Sequence, residues 1–286
     1  MRPAFGARLA AAMDAHGPLC VGLDPHPGLL RAWGLPDDAQ GVRDFSRRVL
    51  DALAGSVAAL KPQSALYERH GAAGVAVLEE VVAAGRETGT LVIVDAKRGD
   101  IGSTMAAYAD AYLREGSSLA GDALTVSPYL GFGSLTPAVE AAAASGRGLF
   151  VLALTSNPEG ASVQHARDQD GVAVAARVAA QAAELNAAEL AAGGGELGSV
   201  GLVVGATTGD AAARLGVDLA AVRGPLLAPG VGAQGAGAAE LAHVFGPARR
   251  AVLASSSRGV LAAGPDGASL LAAARRAGED AVGALR

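Results

Sequence analysis

Leu91-Val92-Ile93-Val94-Asp95-Ala96-Lys97-Arg98-Gly99-Asp100 decides the fold. Its first four residues form an unbroken apolar run, the pattern of a parallel strand covered on both faces. Charge then arrives abruptly at the run's C-terminal end. The same arrangement recurs along the chain. Strands are expected near Pro18–Asp24, Ala58–Gln63, Leu91–Lys97, Ala123–Ser127, Gly148–Ser156, Val200–Thr207, Pro225–Val231 and Ala251–Ser257. Asp24, Lys61, Asp95 with Lys97, Ser127, Ser156, Thr207, Gln234 (just past its strand) and Arg258 follow these runs.

Helical patterns separate the strands. Ile101, Met105, Tyr108, Ala109 and Tyr112 repeat at helical spacing and predict an apolar face. Ala173–Ala192 predicts a long helix ended by Gly193-Gly194-Gly195. Eight strands alternating with helices point to one α/β domain over residues 1–286, a single (β/α)8 TIM barrel with a parallel eight-stranded core. An open doubly wound sheet is the alternative. Polar residues at the ends of most strands favour the barrel, which builds its sites on that rim. No linker interrupts the chain. Asn157–Gly171 is its longest polar connection and is expected to be a mobile loop.

Composition narrows the function. The chain has 286 residues, a normal length for such a barrel, and 51% are hydrophobic, enough for a large core. Aromatics make up only 3%, too few for base-stacking platforms. With a net charge of −5, a basic face for nucleic acid is not expected. A small anion remains compatible, because a local Lys/Arg cluster can act against the net sign. Cys20 is the single cysteine, so neither a disulfide framework nor a cysteine metal cluster is expected, and a reducing cytoplasm fits. Residues Met1 to Leu19 carry Asp14 and His16 and lack a strongly apolar stretch, which argues against a signal peptide. No run of about 18 apolar residues predicts a membrane span.

Asp95 and Lys97 are two apart on a strand and should face the same side, the barrel mouth. Asp100 and Thr104 are four apart and are expected on one face at the start of the next helix. Lys61 ends an earlier strand. Two ammoniums and two carboxylates are thus expected close together. A lysine between carboxylates stays protonated. It can stabilise a carbanion and deliver a proton to it. A carboxylate facing a substrate carboxylate disfavours the ground state, by roughly 4 kcal/mol at 4 Å and an effective dielectric of 20. That repulsion disappears as CO2 leaves. The alternative is an ion-pair network that only closes the barrel. Such a cluster is costly to desolvate, which makes a purely structural use unattractive.

A second constellation follows strands seven and eight, where this barrel usually binds phosphate. Pro229-Gly230-Val231-Gly232-Ala233-Gln234-Gly235 offers backbone N–H groups to an anion. Ser255-Ser256-Ser257-Arg258-Gly259 offers a guanidinium.

Asp95-x-Lys97-x-x-Asp100-Ile101-x-x-Thr104 resembles the signature of orotidine 5′-phosphate decarboxylases. Lys61-Pro62-Gln63-Ser64-Ala65, Leu154-Thr155-Ser156-Asn157-Pro158 and Pro229–Gln234 resemble the longer bacterial (type 2) branch of that family. The matches run in order from Val21-Gly22-Leu23-Asp24 to Arg258. The resemblance implies a carboxy-lyase that converts orotidine 5′-monophosphate (OMP) to UMP and CO2 in pyrimidine synthesis, with no metal and no organic cofactor. It implies Lys97 as proton donor to C6 of the pyrimidine and Asp95 against the departing carboxylate. Lys61 and Asp24 would contact the ribose and hold the charge array. Asp100, Ile101 and Thr104 would reach the neighbouring subunit's site, so a homodimer is implied. Ser156 would bond the pyrimidine edge, Pro229 would line the ring pocket, and Gln234 and Arg258 would take the phosphate. The loop after Val231 would close over it. The chain departs from the family at Ser257, where many relatives have glycine, and in a short Ala/Gly-rich stretch after Gln234. It also carries a long segment over Asn157–Gly198 to which the sequence assigns no task.

Other readings compete. Sugar-phosphate relatives, such as 3-keto-gulonate-phosphate decarboxylase or hexulose-phosphate synthase, share Asp-x-Lys-x-x-Asp and need a divalent metal. A nucleotide-binding barrel that has lost catalysis would show a broken charge array, whereas this array is whole. His16, His26, His70, His165 and His243 form no zinc-spaced pair and read as surface or loop residues. His26 stands close after Asp24, and Ser127 ends its strand; each is a candidate to line the site. Arg98 should point away from the mouth. Cys20 reads as core, and Trp33 and Tyr129 as packing residues.

Overall fold

A computed structural model describes residues 2–193, 195–231 and 236–286. Eight parallel strands close into a barrel in sequence order. They are β1 (Leu19–Leu23), β2 (Ala59–Pro62), β3 (Leu91–Arg98), β4 (Ala123–Val126), β5 (Gly148–Leu154), β6 (Val200–Val204), β7 (Leu226–Pro229) and β8 (Val252–Ser256). Pairing of β1 with β8, Val21 opposite Ser256, completes the ring. Every expected strand lies where the sequence placed it, and the long helix runs over Val174–Ala191.

Side-chain alternation divides the core in two. Every strand points inward into a small apolar cluster, with Cys20, Ala59, Ile93, Ala123, Phe150, Val203, Leu227 and Leu253 among its members, joined by Leu91 at the start of β3. Their neighbours, such as Val21, Leu60, Val92 and Leu124, face the surrounding helices in a larger cluster. The N-terminal helix Phe5–His16 closes the barrel floor with Phe5, Leu9 and Met13. The Phe5 ring meets Phe150 edge-on at 5.9 Å, a favoured aromatic geometry. Gly148 leaves room for it, since a Cβ there would lie 2.0 Å from the Phe5 ring. Arg8 pins this helix by ion-pairing Asp122 at 2.5 Å and donating to the Gly146 carbonyl at 2.9 Å.

This alternation positions the site. With Cys20, Ala59, Ile93 and Ala123 as one inward layer, the next inward positions toward the strand C-termini are Gly22, Lys61, Asp95 and Thr125. The apolar layer therefore forms the base on which a charged layer stands. Cys20 lies beneath that layer, and burial pushes its thiol up to about 12, so it is an inert core residue.

Several expectations are corrected. Asp100 precedes its helix, which runs over Gly102–Tyr112 with Ile101 at the N-cap. Only Met105, Ala109 and Tyr112 form the buried face, while Ile101 is 61% exposed because it lies at the rim. Trp33 packs as expected, donating its ring N–H to the Leu261 carbonyl at 3.2 Å. Tyr129 does not pack: it is 75% exposed at the end of β4. The stretch after Ser156 is built from short helical turns over Pro158–Gly160 and Ala161–Gln164. Arg177 ties its far end through Asp168 at 2.5 Å and Asp170 at 3.1 Å. Among the described residues no helix is long and apolar enough to cross a membrane.

Removing the floor should be costly without touching the mouth. Phe5→Ala should lower unfolding free energy by about 3–5 kcal/mol in urea titration. A loss under about 1 kcal/mol would show that Phe5 does not carry the floor.

Candidate active site

Asp95 is the centre of the site. It is 6% exposed, on the inward face of β3, and both its oxygens are fully engaged. Lys61 Nζ donates to Oδ2 at 2.8 Å and Gln63 Nε2 to the same atom at 3.2 Å. Lys97 Nζ donates to Oδ1 at 2.5 Å, and the Thr125 hydroxyl donates to that oxygen at 2.8 Å. An ionised carboxylate has about four acceptor positions, and here all four are taken. Such an ion is held by neighbours from β2, β3 and β4 at once.

The electrostatics follow. Burial pushes the Asp95 carboxyl up, but the ammoniums of Lys61 and Lys97 outweigh it and hold the group down at about 2. Burial opposes the charge on Lys61 too, yet Asp95 and then Asp24 raise its pKa above the usual lysine value. Lys61 is buried and committed to the network. Lys97 has its side chain 43% exposed, so its ammonium faces both Asp95 and the open mouth. One lysine is thus a fixed charge and the other is accessible.

Lys97 reaches this place through an irregular strand end. Val94 pairs with Leu124, but the next paired residue, Arg98, is opposite Val126. Three residues of β3 therefore oppose one of β4. Lys97 takes up the excess with φ of 47°, a left-handed conformation costing about 1–2 kcal/mol outside glycine. Its backbone N–H is not lost, because Thr125 Oγ1 accepts it at 2.9 Å. Thr125 and Gln63 were not singled out for the site by sequence. The signal for Thr125 was a polar residue inside an apolar run, on the inward parity of Ala123. Gln63 directly follows Lys61-Pro62.

The other candidates stand around this hub. Asp24 follows β1, and its Oδ1 is buried without a partner among the described residues. An orphaned buried acceptor needs an explanation, and a ligand hydroxyl supplies one. The Ser257 hydroxyl lies against Gly22, where a Cβ would be 2.0 Å from it. Ser156 is exposed beyond β5, its Cβ near Gly205. Pro229 is exposed at the end of β7, opposite Ser255 of β8. Arg258 is exposed and begins the short helix Arg258–Leu261 after β8. The loop after β7 is closed at its base: Val231 bridges Ala236, and Ala236 N–H donates to the Gly230 carbonyl at 2.9 Å. Gln234 lies outside the described residues.

Asp100, Ile101 and Thr104 do not join the hub within one protomer. Asp100 Oδ1 accepts from the Ile101 N–H at 2.8 Å, and Ile101 and Thr104 are exposed. Three of the four charges expected together therefore meet, and the fourth is displaced outward. Ser127 is half-buried, and its N–H donates to the Arg98 carbonyl at 2.8 Å. His26 is exposed, ahead of the helix Pro27–Ala32.

Comparison with known proteins now decides the family. The sequence profile of the orotidine 5'-phosphate decarboxylase / HUMPS family matches residues 17–273. The chain belongs to this family. Relatives named orotidine 5'-phosphate decarboxylase include one from Salinispora arenicola, 59% identical over 98% of both chains. Another, from Streptomyces coelicolor, is 59% identical over 95% of both. Among solved structures, a putative orotidine 5'-phosphate decarboxylase from Streptomyces avermitilis superposes with a TM-score of 0.93. It is 58% identical and covers 99% of this chain and 96% of its own. The Leishmania donovani OMP decarboxylase is more distant, at 31% identity, TM-score 0.72 and 96% of both chains. The profile joins the decarboxylases and the HUMPS proteins in one family, so membership leaves the reaction to be argued from the site.

The Asp95 carboxyl is depressed, so it contributes stability above its ordinary value of 3.8 and loses it as pH falls toward about 2. Asp95→Asn should destabilise the fold at neutral pH by about 3 kcal/mol, leaving Lys61 buried beside only Asp24. Urea titrations should find that gap constant from about pH 5 to 8 and shrinking below about pH 4. A gap unchanged down to about pH 2.5 would contradict the ionised hub.

Proposed function

We propose that this chain decarboxylates orotidine 5′-monophosphate to UMP and CO2, by direct cleavage with lysine as proton donor. The observation that carries the reading is Asp95 held between Lys61 and Lys97 at the barrel mouth, in a chain closely similar to proteins named for that reaction. The substrate is a nucleoside phosphate bearing a carboxylate at C6.

The site's own groups account for the chemistry. The phosphate lies at Arg258 and the closed base of the β7 loop, with Gln234 from that loop. The pyrimidine ring lies against Pro229, and Ser156 meets its edge. Ribose hydroxyls donate to the orphaned oxygen of Asp24 and meet Lys61. The C6 carboxylate is then directed at Asp95, whose acceptor positions are already filled. Lys97, the accessible ammonium beside Asp95, is the donor that meets the new charge. As the C6–carboxylate bond breaks, its electron pair stays on C6 and CO2 leaves. Repulsion from Asp95 is relieved, and the Lys97 ammonium lies beside the growing carbanion. A proton passes from Lys97 Nζ to C6, giving UMP, and water restores the ammonium. No oxidant or reductant is required. We place the reaction in the cytoplasm, in pyrimidine synthesis, without a metal or organic cofactor.

The working unit in this proposal is a homodimer with shared sites. Asp100, Ile101 and Thr104 stand at the rim, outside their own hub. Ile101, Tyr129 and Leu130, at the ends of neighbouring strands, are large and exposed, which suits a covered face. Asp100 would complete the partner's charge array.

Subunit mixing tests both claims. Lys97→Ala and Asp100→Ala should each be inactive while folded. Combined at equal amounts, refolded subunits should recover about a quarter of wild-type activity, since half the two-fold dimers then hold one intact site. Appreciable turnover by Lys97→Ala alone would remove the proton-donor role. Mixtures that stay inactive would remove the shared site.

A further inference from the structure

Arg98 lies inside the charged run but outside the chemistry proposed above. Its guanidinium leaves the barrel side of β3 and enters a pocket between two helices. There it lies 5.4 Å over the Tyr108 ring and 5.5 Å over the Tyr112 ring. Its Nη2 ion-pairs Glu68 and donates to the Tyr112 hydroxyl at 3.1 Å. Glu68 in turn accepts from the Ser64 hydroxyl at 2.5 Å. Ser64 and Glu68 belong to the helix Ser64–Glu68, which follows the strand bearing Lys61. Tyr108 and Tyr112 belong to the helix Gly102–Tyr112, which follows Lys97. One side chain therefore ties the end of β3 to the elements behind both catalytic lysines.

Lys97 needs such an anchor. Its backbone is in the left-handed region, on an irregular strand end that gains little from regular pairing. On its N-terminal side the strand is held through Asp95. On its C-terminal side Arg98 is the next residue. The Arg98 carbonyl accepts from Ser127 N–H, and the side chain is fixed by stacking and the Glu68 ion pair. With both flanks fixed, the chain between them has little freedom, and Lys97 Nζ is delivered to Asp95 Oδ1.

We propose that Arg98, braced by Glu68 and Tyr112, is a positioning residue for Lys97. The inference rests on the decarboxylase reading of the site. Arg98 touches no reacting atom; it sets where the proton donor stands. Binding of the phosphate and ribose, which uses other strand ends, should be independent of it.

The test is steady-state kinetics with OMP on wild type, Arg98→Met, Arg98→Lys and Tyr112→Phe, with folding checked by circular dichroism and urea titration. Wild type must turn OMP over; if it does not, the functional reading fails, and Arg98 is not the cause. Given active wild type, Arg98→Met should lower kcat by about 10- to 100-fold while KM stays within about threefold, as expected for a misplaced transition-state group. Arg98→Lys, which keeps charge but not the planar fork, should recover only part of kcat. Tyr112→Phe removes one hydrogen bond and should show a smaller fall in the same direction, and it carries the test if Arg98→Met does not fold. Unchanged kcat in the folded variants would overturn the proposal. So would a fall in kcat joined by a rise in KM that tracks lost stability, since that is the mark of a merely structural residue.

Discussion

The site depends on one saturated carboxylate. Asp95 accepts from Lys61, Gln63, Lys97 and Thr125, three of them on adjacent strands and Gln63 just past the end of β2. Without the ion, a buried lysine would have lost its nearest counter-charge, and the exposed lysine would lose its guide. With it, positive charge is concentrated where a carbanion would form. Burial alone would have driven Asp95 toward its neutral form; the two ammoniums reverse that. Asp95 and Lys61 therefore sustain one another's charge, and each is costly to remove singly.

The barrel makes this arrangement affordable. Alternation along each strand puts an apolar layer beneath the charged one, and Phe5, Leu9 and Met13 seal that layer from below. The desolvation that would destabilise an isolated ion is offset by hydrogen bonds from fixed neighbours. Apolar burial is concentrated at the floor and in the helix-facing shell, while the mouth carries charge, the orphaned Asp24 oxygen and a strained backbone. Such a division leaves the reactive end under conformational constraint without weakening the core.

Much of this was legible in the sequence. Apolar runs with polar ends gave all eight strands, because buried parallel strands leave few other patterns open to them. Asp24, Lys61, Asp95, Lys97, Ser156 and Arg258 were legible as strand-end residues, which the barrel geometry brings to one rim, whereas Pro229 came from the family resemblance. What stayed hidden depended on register and local twist. Asp95 and Lys97 share a side, as alternation requires, but they do so across an irregular strand end that simple alternation does not contain. Thr125 looked like an interior strand residue, and only pairing with β3 makes it a partner of Asp95 and of the Lys97 N–H. Asp100 read as the start of a helix because its spacing to Thr104 is helical, yet the helix begins after Ile101. Tyr129 read as packing by size alone, and its exposure is decided by the turn at the end of β4.

The central claim is that the chain's own ammonium groups, held by Asp95, supply the positive charge for decarboxylation. The most direct measurement is a spectrophotometric assay of the purified protein with orotidine 5′-monophosphate, run with and without EDTA. The account predicts rapid conversion to UMP at the same rate in both. Activity that vanishes with chelator and returns with a divalent cation would contradict it, and would point instead to the metal-dependent sugar-phosphate branch of the family's chemistry.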